Sequence, residues 1–216
     1  MTLSFVFPIQ NAWVVVADKL MISEDGYDFD DMSEVRERID NFTKIEYLSD
    51  KKIVFVGAGD VKLLQFFVEK IGMKESLEVF KAEFGELCSN LRAGGEFEKT
   101  VQRTEFIIIN QLTLKSFRFI NGKYKEINED CFIGCVDKLK NFNDVKSKLR
   151  RRKKYKFNKK NNGVVLEWIY CLEELSKQKL SSVGHPAIDG CDIWIVSKNK
   201  INKIAVSPKL YDWEVN

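Results

Sequence analysis

The sequence holds a single histidine, His185. That scarcity removes a large block of chemistry. A His-rich metal centre is out of reach, and a Ser-His-Asp triad would have to be built on that one residue, which lies in the loop-like stretch "VGHPAID" and reads as structural. Cysteine is sparse as well. Cys88, Cys131, Cys135, Cys171 and Cys191 form a scattered, odd-numbered set with no C-x-x-C pair, which argues for reduced thiols and a cytoplasmic setting. No apolar run approaches the length needed to cross a bilayer, so no membrane partner is expected. The apolar start has no basic n-region and no small-residue cleavage site, and Gln10 and Asn11 interrupt it, so it does not read as a signal peptide. Neither sign of charge dominates: 35 Lys and Arg against 32 Asp and Glu leave a net +3, too little to make the whole chain a nucleic-acid or membrane binder. There is no internal repeat.

What is present is an ordinary globular composition. A chain of 216 residues, 44 % hydrophobic and 31 % charged, can bury a sizeable core and is read as one domain over residues 1–216. Two charged segments interrupt it, an acidic insertion near 22–41 and a basic segment near 146–162. "TLSFVFPI" and "AWVVVAD" are β-branched and aromatic and flank Gln10-Asn11, which predicts a hairpin, with "VVVA" buried on both faces. Within the acidic insertion, Asp31 and Glu34 have capping-box spacing. "KIEYLSD" and "KIVFVGAG" predict a second hairpin. Asp60 then caps a helix with Val61, Leu64, Phe67 and Ile71 on one face and Gly72 as its C-cap. A second helix places Leu77, Phe80, Phe84, Leu87 and Leu91 together and stops at Gly94-Gly95. Strands return in "TEFIIINQ", "SFRFING", "KYKEI" and "CFIG". An amphipathic helix, "GVVLEWIYCLEELSKQ", precedes the strands "CDIWIVSK" and "INKIAVS". Strands in adjacent pairs, with helices following each β block, predict an α+β fold: a four-layer αββα sandwich of two antiparallel sheets.

The chemistry begins at Thr2. A small residue behind the initiator Met normally exposes itself by losing Met1, leaving a free α-amine beside the threonine hydroxyl. With a pKa near 8, that amine is partly neutral at physiological pH and can take the hydroxyl proton, which activates an otherwise poor nucleophile. A nearby lysine lowers the amine's pKa further, and a carboxylate holds the lysine in place. A glycine-lined turn supplies an N–H for the oxyanion. The sequence offers each part: Asp18 ends the second strand, Lys44 begins the third, and "VGAGD" ends the fourth and opens a helix whose positive end adds to the field.

In this order and spacing the chain resembles the proteasome β-subunits and HslV-type peptidases, members of the N-terminal nucleophile hydrolases. The resemblance runs weakly along the whole chain and is best over residues 2–70. It implies that Thr2 is the nucleophile, Asp18 and Lys44 its partners, and Gly57, with Gly59 as the alternative, the oxyanion glycine. "CFIGC" is similar to the family's "IGSG" and puts Cys135 in place of a supporting serine. Leu20 stands where the family has an arginine or similar residue. The Asp-x-x-Ser-Gly of proteasome subunits has no match in "SSVGHPAIDGCD", where Ser182 or Asp189 would have to substitute. Phe55 falls in the wall of the implied primary specificity pocket, with Leu20 nearby, and its bulk favours small substrate side chains.

The implied activity is a threonine-type peptidase or amide hydrolase acting on peptide or protein substrates, without metal or other cofactor. It would work inside a homo-oligomeric ring, and an ATPase unfoldase to feed it is compatible with the resemblance. A transpeptidase or amide ligase of connectase type is one alternative, and a non-catalytic ring or scaffold subunit the other. The basic segment "KSKLRRRKKYKFNKK" reads as solvated, or docked on an acidic neighbour such as the 22–41 insertion, in preference to nucleic-acid binding.

Overall fold

The computed structural model describes residues 3–18, 44–95, 98–134 and 191–206. The helix expected from Asp31, the amphipathic helix "GVVLEWIYCLEELSKQ", the basic segment, and Thr2, Leu20, Cys135, His185, Ser182 and Asp189 lie outside those residues.

Among the described residues, ten strands form two antiparallel sheets of five. The first sheet contains β1 (Leu3–Ile9), β2 (Ala12–Asp18), β8 (Cys131–Gly134), β9 (Cys191–Ser197) and β10 (Ile201–Val206), in the order β10-β9-β2-β1-β8. The second runs β3 (Ile45–Leu48), β4 (Ile53–Ala58), β5 (Glu105–Asn110), β6 (Ser116–Ile120) and β7 (Lys123–Ile127), in simple sequence order. Both expected hairpins form; the β1–β2 turn, like that of the β6–β7 hairpin, carries residues that tolerate left-handed backbone, whereas the β3–β4 turn places Lys52 at φ 53°. Asn11 has φ 61° between β1 and β2; Asn121 and Gly122 have φ 53° and 75° between β6 and β7, the pattern of a tight hairpin turn.

The strand periodicity sorts side chains into two cores. On β5, Ile107 and Ile109 face the other sheet, while Phe106 and Ile108 face the helices. Between the sheets, Val6, Trp13, Val15 and Ala17 meet Val54, Val56, Ile107 and Ile109. On the other side of the second sheet, Phe55, Phe106, Phe117 and Phe119 meet the helices α1 (Val61–Met73) and α2 (Leu77–Ala93) through Phe67, Phe80 and Phe84. The outward face of the first sheet is buried too, through Phe5, Phe7, Val14, Val16 and Ile193, so "VVVA" is covered on both faces as its composition predicts. Lys81 is tucked into the helix-sheet layer by lying 4.1 Å from the Phe117 ring centre and pairing with Glu78 at 2.8 Å.

Two local expectations need correction. Val61 is exposed, not buried, and Leu63, Phe67, Val68 and Ile71 form the packed face of α1. At 3.6 residues per turn, position 61 lies about 120° away from the Phe67 direction. Gly72 does not end α1: the helix continues to Met73, and the Lys74 N–H donates to the Ile71 carbonyl. The exit is set by Ser76, only two residues beyond Lys74, whose hydroxyl accepts from the Val79 N–H and starts α2. A four-residue helix, α3 (Glu98–Val101), follows the Gly94-Gly95 stop.

Candidate functional site

The strand directions bring one set of termini to the same end of the sandwich. β1 begins there, and β2 ends there, with Ser4 opposite Ala17 and Asp18 opposite Cys191. β8 also ends there, with Gly134 opposite Leu3. From the second sheet come the start of β3, the end of β4 and the start of β5, where Ala58 faces Glu105. The sheets are pinned together at this end by hydrogen bonds as well as by apolar contact among Ala17, Ile45, Ala58 and Ile133. The buried Ser4 hydroxyl donates to the Gly57 carbonyl at 3.3 Å, and the Gly134 N–H donates to Glu105 Oε1 at 2.7 Å.

Gly57 sits at the centre of this meeting point. Its N–H donates to the Lys44 carbonyl at 3.2 Å, which extends the β3–β4 ladder by one step. One glycine thus contacts both the strand that begins at Leu3 and the residue that precedes β3. A methyl group at Gly57 would lie 2.6 Å from Leu64 Cδ2, so α1 packs directly against it. Gly59 has φ 130°, and a Cβ there would meet the Thr104 Cα at 2.7 Å; only glycine fits. Asp60 completes the turn. Its N–H donates to the Thr104 hydroxyl at 3.2 Å, and its carboxylate accepts from the Leu63 N–H at 2.9 Å, capping α1. The partially positive end of α1 therefore opens beside Gly57.

Of the residues singled out from the sequence, Gly57 and Lys44 are adjacent across the β3–β4 ladder, and Lys44 is buried. Asp18 is the last residue of β2, one step beyond the Ala17–Ser4 pair. Thr2 precedes Leu3 and stands two residues from Ser4, a reach of about 7 Å along the chain. Cys135 follows Gly134, the partner of Leu3. Phe55 lies deeper: it is 2 % exposed and stacked on Phe106 with ring centres 4.9 Å apart. Sequence reasoning missed three polar residues at this end, Ser4, Glu105 and Asp192. Each is buried, and each occurs in an apolar strand pattern, Glu105 at the head of "EFIIIN" and Asp192 in "CDIWIVS". A polar or charged residue at an inward-facing strand position is the signal that marks them.

The sequence matches no protein-family profile and no curated protein. Solved structures do match it. A Gly-1 mutant of Anbu from Hyphomicrobium sp. strain MC1 superposes with a TM-score of 0.62 at 14 % identity, covering 96 % of this chain and 87 % of that one. The fold is proteasome-like. At this identity the likeness is one of architecture: two antiparallel sheets face to face with helices outside. That proteasome-like sandwich puts the strand ends just described at one edge, which is where its candidate site lies. Among the described residues no helix is long and apolar enough to cross a membrane, and no cluster of three metal-ligating side chains occurs.

Proposed function

We propose that this chain is a threonine-type peptidase or amide hydrolase whose nucleophile is Thr2, exposed by removal of Met1. The observation that carries the reading is the Ser4–Gly57–Lys44 connection. It ties the first strand to the glycine turn and the glycine turn to the lysine, so the three elements the chemistry needs share one edge of the fold. In this reading the Thr2 amine takes the hydroxyl proton and the hydroxyl oxygen attacks an amide carbonyl. Lys44 favours the neutral amine, and Asp18 orients Lys44. The tetrahedral intermediate collapses to an ester on Thr2 as the leaving amine takes the proton, and water then hydrolyses the ester. The Gly57 N–H is the oxyanion donor. It is held at 3.2 Å by a neutral carbonyl, the long end of the hydrogen-bond range, and a developing oxyanion is a stronger acceptor that displaces it. Cys135 supports the nucleophile from the end of β8, and Phe55 with Leu20 limits the depth of the pocket for the substrate side chain. A cytoplasmic homo-oligomeric ring, with or without an ATPase partner, is the assembly this reading implies.

A second reading is favoured by the same Gly57 hydrogen bond. If that bond persists, the oxyanion has no donor there and the chain is a non-catalytic, proteasome-like ring or scaffold subunit. Intact-mass analysis after treatment with a β-lactone separates the two. The hydrolase reading requires a chain lacking Met1 that gains one adduct, lost in Lys44→Ala. A chain that retains Met1 and never gains the adduct leaves the scaffold reading.

A further inference from the structure

Glu105 is buried, 7 % exposed, and sits at the first position of β5 with its carboxylate turned toward the other sheet. Each of its oxygens is committed. Oε2 accepts from Arg118 Nε at 2.9 Å and Nη2 at 2.5 Å, a two-pronged ion pair across β5 and β6. Oε1 crosses to the first sheet and accepts the Gly134 N–H at 2.7 Å. Gly134 is the last residue of β8, an edge strand whose neighbour in its sheet is β1. It has φ 94°, a left-handed backbone that only glycine adopts without strain. Without the carboxylate, the turn at Gly134 would have an N–H facing the space between the sheets with no acceptor.

We propose that Glu105 is a positioning residue for the Thr2 site. Arg118 fixes the carboxylate, the carboxylate fixes Gly134, and Gly134 is paired with Leu3, the residue after Thr2. The bond therefore sets the register of β8 against β1 at Leu3, the residue that follows the candidate nucleophile. Ser4 to Gly57 fixes the same strand from its other side. Glu105 touches neither substrate nor reacting atoms; it acts through the backbone of β8. The inference rests on the reading of Thr2 as nucleophile, and the experiment keeps the two apart.

Three substitutions divide the carboxylate's properties. Glu105→Gln keeps the length and an acceptor oxygen but removes the charge. Glu105→Asp keeps the charge but is one methylene short of Gly134. Glu105→Leu removes both. The rate of β-lactone acylation of Thr2 is expected to fall about tenfold or more in the Asp and Leu variants, because a displacement of the order of 1 Å at a nucleophile costs rate steeply; the Gln variant, whose single acceptor oxygen can serve Arg118 or Gly134 but not both, should fall between them and wild type. Asp and Leu variants that acylate at the wild-type rate would overturn the proposal. Amide hydrogen exchange supplies the readout that does not need activity. Faster exchange at residues 3–5 and 131–134 in the Asp variant, with exchange in α1 and α2 unchanged, supports the positioning role; unchanged exchange at 131–134 refutes it. A wild-type protein that never acylates removes the hydrolase reading, while the exchange result still decides whether Glu105 holds β8 against β1.

Discussion

Phe106 is the hub of the helix-side core, and Phe106→Ala tests how much of the fold depends on it. Its ring is fully buried and has five aromatic neighbours: Phe119 at 4.8 Å and nearly parallel, Phe55 at 4.9 Å, Phe67 at 5.0 Å, Phe84 at 5.6 Å and edge-on, and Phe80 at 6.4 Å. These come from two strands and both long helices, so no single element can move in to fill the space. Truncating a buried Phe to Ala costs about 3–5 kcal/mol, with the upper part of that range where the site cannot collapse. The loss of several ring-ring contacts acts in the same direction. An expected loss of about 4–5 kcal/mol is a large share of the roughly 5–15 kcal/mol by which domains are stable. Each kcal/mol shifts the melting temperature by about 2–4 °C at this chain length, giving a drop of about 10–15 °C. Urea unfolding monitored by circular dichroism measures it, with an unchanged slope showing that the two-state comparison holds. Phe66→Ala is the internal control. Phe66 is only partly buried, with an edge contact to Phe67 at 5.8 Å, and should lose about 1 kcal/mol. The reasoning fails if Phe106→Ala loses less than about 2 kcal/mol, or no more than Phe66→Ala.

The glycines make opposite predictions. Gly72 lies inside α1 with nothing within 4 Å of an added Cβ, so Gly72→Ala should stabilise by about 0.5–1 kcal/mol in the same urea assay. Gly59→Ala combines φ 130° with a 2.7 Å approach to the Thr104 backbone and should lose about 3 kcal/mol or more. For the thiols, burial pushes the pKa of Cys88 up, opposed by the Gly122 backbone and Arg92. Burial likewise pushes Cys131 up, with Arg118 opposing and Glu105 reinforcing. Raised folded-state values mean that both stay protonated at neutral pH. The stability gained by burying them neutral is present below the unfolded thiol value and lost as pH rises through the folded one, in the alkaline range. At pH 8, peptide mapping after brief treatment with an alkylating reagent should find both residues unmodified until urea is added; modification in the native protein would contradict their burial.

The sequence announces its local structure well. Ser, Asp and Asn at caps and turns act through their own backbone neighbours, so Asp60 and the Gln10-Asn11 turn are legible from a few residues. Gly72 misleads because a helix end depends on where the next element must begin, which Ser76 decides. The site is legible only in its chain order. Which strand ends meet depends on β1 pairing with β8 and β2 with β9, across most of the sequence, and no local pattern encodes those pairings. Glu105 illustrates the gap most clearly: its two partners, Arg118 and Gly134, come from different sheets. By local pattern alone it is a charged residue before an apolar run.

The two sheets also differ in how far the chain must travel to build them. Every neighbour in the second sheet is the next strand in sequence, and its helices are inserted between consecutive strands. Apart from the β4–β5 connection, which carries the helices, such a unit closes short loops, and it can form while the chain is still being synthesised. The first sheet cannot: Val16 of β2 waits for Ile193 of β9, and Leu3 of β1 for Gly134 of β8. The hairpin that carries the candidate nucleophile is made first and locked in place last. The edge that carries the candidate site therefore has no finished surroundings until nearly the whole polypeptide exists, a timing set by the order of strands.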